Sequence, residues 1–236
     1  MASNYGGLIA RMLFQPIEES SRNYFGKLLS AVDKMDGKPE AGSVRKAQGD
    51  LKTLLKAYGL ISTCIIVVGP SIAPLLLQIV VGRRWSDTGA GDVLAKYCYY
   101  IPLLAYNGVL ESFVSVVASK SELNRQSAWM LVFSLAFAST SYIFLGVLDL
   151  GAKGLVYANM ANMAFRIVWC GNFIKGYLRR HGGEFSVGEV LPSAGTLSAA
   201  VGSAAVIWQL EKFETGSIFY SLAVYGAAAL GFLLFL

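Results

Sequence analysis

The sequence predicts an all-α, polytopic integral membrane protein, a bundle of about seven transmembrane helices. Apolar residues make up 55% of the 236-residue chain, and charged residues make up only 15%, against roughly 25% in ordinary soluble domains. The mean hydropathy of +0.52 points the same way. The predicted spans are residues 6–29, 54–81, 93–118, 127–148, 154–174, 190–210 and 218–236.

The first span is the least apolar, because charged residues and a proline lie inside it. At about 100° per residue, one narrow helix face carries Arg11, Gln15, Glu18 and Arg22, and Glu19 lies one step around from Glu18. Ionisable groups inside a membrane usually face a bundle interior or a watery cavity, and they mark the path of a polar substrate. The alternative is an amphipathic helix that lies on the membrane surface.

Prolines interrupt the first three spans, at Pro16, Pro70, Pro74 and Pro102. Each removes a backbone donor and bends the helix, as in many transporters that alternate between two open states. Ordinary kinked packing explains them equally well.

The third and fifth spans carry two further polar stripes. The third holds Lys96, Tyr100, Asn107 and Glu111, and the fifth holds Asn159, Asn162 and Arg166. Because an unpaired charge in hydrocarbon costs several kcal/mol, we expect the stripes to converge, with Glu111 paired to Arg166. Glu18 and Arg22 have the favourable i, i+4 order on one helix. The alternative is an ion-pair lock that only sets helix register.

The sixth and seventh spans contain small residues and no charge within the apolar core. These residues are Gly195, Ser198, Ala199, Gly202, Ser203, Gly226 and Gly231. Small side chains allow close helix contact, so we expect the two spans to form a packing pair outside the polar site.

Charge predicts the orientation and excludes several functions. The loops on one side of a seven-span chain hold most of the basic residues, which places the C-terminus in the cytoplasm. The basic residues are dispersed, so we expect no nucleic-acid partner.

The three cysteines are scattered, and the single histidine, His181, lies in a basic loop. We therefore expect no metal or other cofactor and no enzyme acting on lipid phosphates.

The residue types of the stripes suit a phosphorylated glycan. The guanidinium fork of arginine donates paired hydrogen bonds to phosphate. Carboxylates and amides suit sugar hydroxyls, which need acceptors as well as donors.

Several motifs resemble the Rft-type oligosaccharide translocation proteins of the endoplasmic reticulum. They are the run from Asn4 to Arg11 that leads into Phe14-Gln15-Pro16-Ile17-Glu18-Glu19-Ser20, Tyr97-Cys98, Asn107-Gly108-Val109 with Glu111, Ser119-Lys120, Ala158-Asn159, and Asn162-Met163 with Arg166. That family belongs to the multidrug, oligosaccharidyl-lipid and polysaccharide exporter superfamily. The resemblance implies one membrane domain over 1–236, with residues 1–174 lining a cavity in the second of two helical bundles. Residues 190–236 are then two extra C-terminal helices.

The resemblance also implies a function in N-linked glycosylation, in the endoplasmic reticulum membrane. The family moves a mannose-rich, dolichol-pyrophosphate-linked oligosaccharide between membrane leaflets, or else assists that step as a non-transporting scaffold. For the flippase version, Arg11, Arg22 and Arg166 are the expected pyrophosphate ligands. Sugar contacts, or the orientation of those arginines, are expected of Gln15, Glu18, Glu19, Asn107, Glu111, Asn159 and Asn162.

The chain departs from the family in its length. Its first helix resembles one just past the middle of the full protein, so the first bundle is expected to be missing. Alternating access needs two halves that move against each other. We therefore expect the chain to need the N-terminal half of the same protein, besides its lipid-linked oligosaccharide and the surrounding membrane lipid.

Overall fold

Seven α-helices make up nearly all of the described chain, which confirms the predicted all-α fold. The computed structural model describes residues 2–30, 40–82, 89–190, 192–211 and 218–235, and it contains no strand within those ranges. The helices are α1 (Ala2–Leu29), α2 (Ala41–Val81), α3 (Ala90–Val117), α4 (Lys120–Tyr142), α5 (Gly151–Arg180), α6 (Ala194–Glu211) and α7 (Ile218–Phe235). A π-helical turn, Ile143–Val147, continues α4, and a short 3-10 helix covers Val187–Glu189.

Helix α2 begins at Ala41, 13 residues before the predicted span 54–81. Its added part is amphipathic: buried apolar residues recur every three or four positions, at Val44, Ala47, Leu51, Leu55 and Tyr58. Charged residues between them lower the mean hydropathy, so a search for apolar runs misses this part of the helix.

Polar contacts fix residues 44–55 of α2 to two other parts of the chain. The Tyr24 hydroxyl of α1 donates a 2.5 Å hydrogen bond to Asp50 Oδ2. Gln48 Nε2 donates to the carbonyl oxygen of Glu184 at 2.7 Å, and Lys52 forms a salt bridge with Glu189. This part of α2 therefore joins α1 to the segment that follows α5.

Helix α4 begins at Lys120, before the predicted start at 127, because a capping box stabilises its first turn. The Ser119 side chain accepts from the Glu122 backbone N–H, and the Glu122 carboxylate accepts from the Ser119 backbone N–H at 2.9 Å. These two bonds satisfy donors that otherwise lack a partner at a helix start.

The described chain forms two compact units. The first comprises Met1–Gly7, Tyr58–Pro102 and Pro192–Leu236, and the second comprises Leu8–Ala57 and Leu103–Leu191. Helices α1, α2 and α3 each contribute to both units. The expected division into residues 1–174 and 190–236 remains a prediction.

Larger side chains than expected hold the first unit together. Helices α6 and α7 contact each other, and their Ile207, Tyr225 and Phe232 form an apolar cluster with Val67 of α2. The predicted pairing of the two helices is present, and Ala199 and the buried Ala200 pack in this cluster, but a Cβ placed at Gly202, Gly226 or Gly231 meets no described atom within 4 Å. Burial of large apolar side chains outweighs close backbone approach here.

Three described helices are long and apolar enough to cross a membrane by length and composition. They are Ala41–Val80, Ala90–Val117 and Lys120–Val147. Helices α6 and α7 provide shorter apolar stretches, Ala194–Leu210 and Tyr220–Phe232. Helix α1 is 28 residues long, so its polar side chains rather than its length keep it out of this group.

Candidate functional site

The second unit brings the polar parts of α1, α3 and α5 together. Aromatic contacts fix the three helices: the Phe25 and Phe113 rings are 5.1 Å apart, and the Phe113 and Tyr177 rings are 6.3 Å apart, both edge to face. Phe25 and Phe113 are at most 1% exposed. This apolar layer sets the rotation of α1 and α3 and so decides which of their polar residues point inward.

An ion pair between α3 and α5 lies at the centre of the candidate site. Arg166 Nη2 donates to both carboxylate oxygens of Glu111, at 2.9 Å and 2.7 Å. The side chains are 24% and 30% exposed, so neither faces bulk solvent. The pairing of Glu111 with Arg166 was predicted from the sequence, and the structure contains it.

Asn107 extends the ion pair by one helical turn of α3. Its Nδ2 donates a 3.0 Å hydrogen bond to Glu111 Oε2, and the residue is only 5% exposed. Within the described part of the chain, Asn107 Oδ1 and Arg166 Nε are buried and lack a hydrogen-bond partner. An unsatisfied buried polar group costs about 1–3 kcal/mol, so both atoms are suited to bind a polar ligand.

Glu18, rather than Glu19, points from α1 toward α3. Its side chain lies against Gly108: a Cβ added at Gly108 would be 1.8 Å from Glu18 Oε1. The Glu18 carboxylate also lies within electrostatic reach of Glu111 and Arg22. Glu18 is half-buried, and Glu111 brings a second carboxylate near it.

Gln15 and Glu19 form a separate pair on an exposed face of α1. Gln15 Nε2 donates to Glu19 Oε1 at 2.9 Å, and both residues are exposed. The structure therefore separates Gln15 from Glu18, although helical spacing placed them on one narrow face.

The four remaining predicted residues of α1 and α5 differ in their surroundings. Arg22 is exposed and lines a groove near the C-terminal end of α1. Asn159 Nδ2 donates to the carbonyl oxygen of Leu155 at 2.8 Å, so its amide group forms a hydrogen bond within its own helix. Asn162 Oδ1 is buried and has no partner among the described residues. The side chain of Arg11 lies outside the described residues, although its backbone is part of α1.

Sequence reasoning missed two residues that shape the site. Gly108 leaves the space that the Glu18 carboxylate occupies, and a glycine inside a helix is a signal for such an approach. Cys170 is fully buried within electrostatic reach of Glu111 and Arg166, and a cysteine in an apolar span gives no comparable signal. Among the described residues, no group of three His, Cys, Asp or Glu side chains is placed to hold a metal ion.

Comparison with known proteins gives one consistent family. The model of the Rft protein family matches residues 1–236. The Man(5)GlcNAc(2)-PP-dolichol translocation protein RFT1 of Kluyveromyces lactis is 35% identical over 221 residues, which are 92% of this chain and 38% of that protein. The Saccharomyces cerevisiae protein of the same name is 36% identical, over 76% of this chain and 30% of its own length.

A mammalian relative gives the same result. The Mus musculus protein, also named Man(5)GlcNAc(2)-PP-dolichol translocation protein RFT1, is 37% identical over 76% of this chain and 32% of its own length. The chain thus spans less than two fifths of the length of these relatives. No solved structure matches it. With a full-length match to the family model and relatives above 30% identity, the chain belongs to the Rft protein family.

Proposed function

We propose that the chain forms part of a transporter that moves dolichol-pyrophosphate-linked, mannose-rich oligosaccharide across the endoplasmic reticulum membrane for N-linked glycosylation. The observation that carries the proposal is the partly buried, hydrogen-bonded cluster of Asn107, Glu111 and Arg166 between α3 and α5. The relatives are named for the translocation of such a lipid.

A headgroup of this kind does not cross hydrocarbon unaided, because each polar group that loses water costs free energy unless it gains a partner. The second unit offers both kinds of partner. Arg166 Nε is an unused buried donor, whereas Asn107 Oδ1 and Asn162 Oδ1 are unused buried acceptors. Phosphate oxygens only accept hydrogen bonds, and sugar hydroxyls both donate and accept, so this mixture fits a phosphorylated glycan.

The residues divide into two proposed roles. Arg11, Arg22 and Arg166 bind the pyrophosphate, since arginine keeps its charge and donates in a fork. Glu18, Asn107, Glu111 and Asn162 contact sugars or orient the arginines, and Gln15, Glu19 and Asn159 have the same proposed role. The inward position of Glu18 and the mutual bond of Gln15 and Glu19 favour Glu18 as the stronger contributor.

The oligosaccharide needs a second helical bundle to complete its path. We infer that the N-terminal half of the same protein supplies it, because alternating access requires two bodies that rock against each other. Expression of the chain alone, and together with that half, in cells depleted of the native protein tests this: only co-expression is expected to restore glycosylation.

We also propose that the C-terminus faces the cytoplasm, as the distribution of basic loops indicates. An epitope tag placed after Leu236 in sealed microsomes is then expected to be accessible to protease without detergent. Protection of the tag until detergent is added would reverse the assigned orientation.

Translocation by reconstituted full-length protein tests the main proposal. Arg166→Ala is expected to abolish movement of lipid-linked oligosaccharide between leaflets, because it removes the buried donors and leaves Glu111 unpaired. Arg179→Ala is the matched control: it removes the same charge from an exposed position at the end of α5. Both variants need melting temperatures that show retained folding.

Two results would contradict the proposal. The first is movement of the lipid at the wild-type rate in folded Arg166→Ala. The second is normal movement combined with lost association with other glycosylation proteins, which favours a scaffold that does not transport.

A further inference from the structure

An open groove beside the C-terminal half of α1 is a second polar feature of the second unit. It has a volume of about 480 Å³. Its lining includes Arg22, Asn23, Gly26, Lys27 and Ser30 of α1 and Val116 of α3. The groove is separate from the ion pair of Glu111 and Arg166, neither of which lines it.

The polar lining of this groove is basic. Arg22 and Lys27 are both exposed, and no described carboxylate forms a salt bridge with either. They lie five residues apart, which is about 7.5 Å along a helix axis. Asn23 adds an amide between them. Within the described chain the groove has no acidic lining residue, so its chemistry selects an anion.

The local backbone leaves the Lys27 ammonium available to a ligand. A cation in the last turn of a helix usually satisfies the terminal carbonyls. Here Ser30 does so instead: its backbone N–H donates to the Gly26 carbonyl at 3.0 Å, and its hydroxyl donates to the Lys27 carbonyl at 2.9 Å. The ammonium of Lys27 is therefore not required as a helix cap.

Gly26 forms an open floor between the two bases. A Cβ added at Gly26 meets no described atom within 4 Å. Apolar Leu29 and Val116 lie along the same groove, so an anionic headgroup can bind there while an attached hydrocarbon chain stays beside apolar surface.

We propose that this groove binds the phosphate or pyrophosphate headgroup of a polyprenyl lipid, with Lys27 and Arg22 as its cationic ligands. Arg166 donates to both oxygens of Glu111, whereas Lys27 has no such partner, so the groove is the more accessible phosphate site. The choice of a lipid pyrophosphate rests on the proposed function. Of the three arginines proposed above to bind pyrophosphate, Arg22 then binds it in this groove, at a place distinct from the cluster of Asn107, Glu111 and Arg166.

Binding to the chain in phosphatidylcholine nanodiscs tests the proposal. Calorimetric titration would use farnesyl pyrophosphate, farnesol and inorganic pyrophosphate as probes. Lys27→Gln is expected to weaken farnesyl pyrophosphate binding roughly fivefold to thirtyfold, as for the loss of one charge-assisted bond. Farnesol is expected not to compete.

Two further variants separate charge from shape. Lys46→Gln removes the same charge from an exposed site on α2 outside the groove, and it is expected to leave the affinity within twofold of wild type. Gly26→Leu fills the groove floor without changing charge, and it is expected to weaken binding as Lys27→Gln does. A Cβ at Gly26 meets no described atom within 4 Å, and the melting temperature of the variant checks that the larger side chain leaves the fold intact.

The probes also identify the source of the anion. If Lys27→Gln weakens the binding of farnesyl pyrophosphate and of inorganic pyrophosphate equally, the site recognises the anionic group itself. If only the affinity for farnesyl pyrophosphate falls, the site recognises the lipid headgroup. Equal weakening by Lys27→Gln and Lys46→Gln overturns the proposal, and so does unchanged binding in both Lys27→Gln and Gly26→Leu.

The two proposals fail independently. If wild-type full-length protein moves no lipid-linked oligosaccharide but Lys27-dependent binding persists, the proposed function fails and the groove assignment stands. If the protein does move that lipid and neither Lys27→Gln nor Gly26→Leu changes the affinity for farnesyl pyrophosphate, only the groove assignment fails.

Discussion

Replacement of Gly108 by alanine tests how α1 and α3 fit together at the polar cluster. The new Cβ would lie 1.8 Å from Glu18 Oε1, 2.3 Å from Glu18 Cδ and 2.9 Å from Glu18 Cγ. Nonbonded carbons and oxygens do not approach so closely. Because the clashing atoms end a flexible side chain, we expect Glu18 to swing out of its place while both helices remain.

Two opposing terms set the size of the effect. Overpacking in an interior costs about 1–3 kcal/mol. Replacing glycine by alanine inside a helix returns roughly 0.5–1 kcal/mol of conformational entropy. We therefore expect Gly108→Ala to lower the free energy of unfolding by up to about 2.5 kcal/mol. At about 2–4 °C per kcal/mol for a chain of this size, the melting temperature falls by up to roughly 10 °C.

A matched glycine and a double variant isolate the contact with Glu18. Gly171→Ala in α5 places a Cβ in open space, so it is expected to raise the melting temperature slightly. Glu18→Ala removes the clashing atoms, and in that background Gly108→Ala is expected to behave as Gly171→Ala does. Thermal unfolding in one detergent, followed by tryptophan fluorescence, gives all the values needed for a double-mutant cycle.

The reasoning predicts a coupling energy of about 1–3 kcal/mol between positions 18 and 108. Stabilisation by Gly108→Ala in the wild-type background, equal to that of Gly171→Ala, would refute the contact between Glu18 and Gly108.

Three other substitutions test the remaining contacts by the same unfolding assay. Arg166→Met is expected to cost about 1.5–3 kcal/mol, because it leaves the partly buried Glu111 carboxylate without its cation, and adding Glu111→Gln should recover part of that loss; strict additivity of the two would contradict the pairing. Ser119→Ala removes the capping box of α4 and is expected to cost roughly 0.5–2 kcal/mol, whereas no change would show that the cap contributes nothing. Tyr24→Phe deletes the hydrogen bond to Asp50 at an exposed site and should lower the melting temperature slightly, with an unaffected melting temperature counting against that bond.

The central ion pair was predictable because physics leaves few choices for a charge inside an apolar span. Glu111 and Arg166 lie deep in their spans, so pairing was the least costly arrangement. The i, i+4 spacing of Asn107 and Glu111 predicts that they share a helix face, and the structure adds the hydrogen bond between them. The shared face and the need for pairing follow without knowledge of how the helices pack.

The rotation of α1 was not predictable, since it depends on partners distant in sequence. Glu18 and Glu19 differ by about 100° around the helix, and the packing of Phe25 on Phe113 decides between them. For a related reason, the sequence predicts that α6 and α7 pair but not which residues form the contact. Small residues permit close contact, but whether contact forms there depends on the larger neighbours, such as Tyr225 and Phe232.

The amphipathic start of α2 has a mechanical consequence. Asp50 accepts a hydrogen bond from α1, and Gln48 and Lys52 contact residues 184–189. The start of α2 therefore connects α1 with the segment that follows α5. A displacement of α1 at Tyr24 thus acts on the same stretch of α2 that contacts the segment beyond α5, so the three stretches share one set of polar anchors.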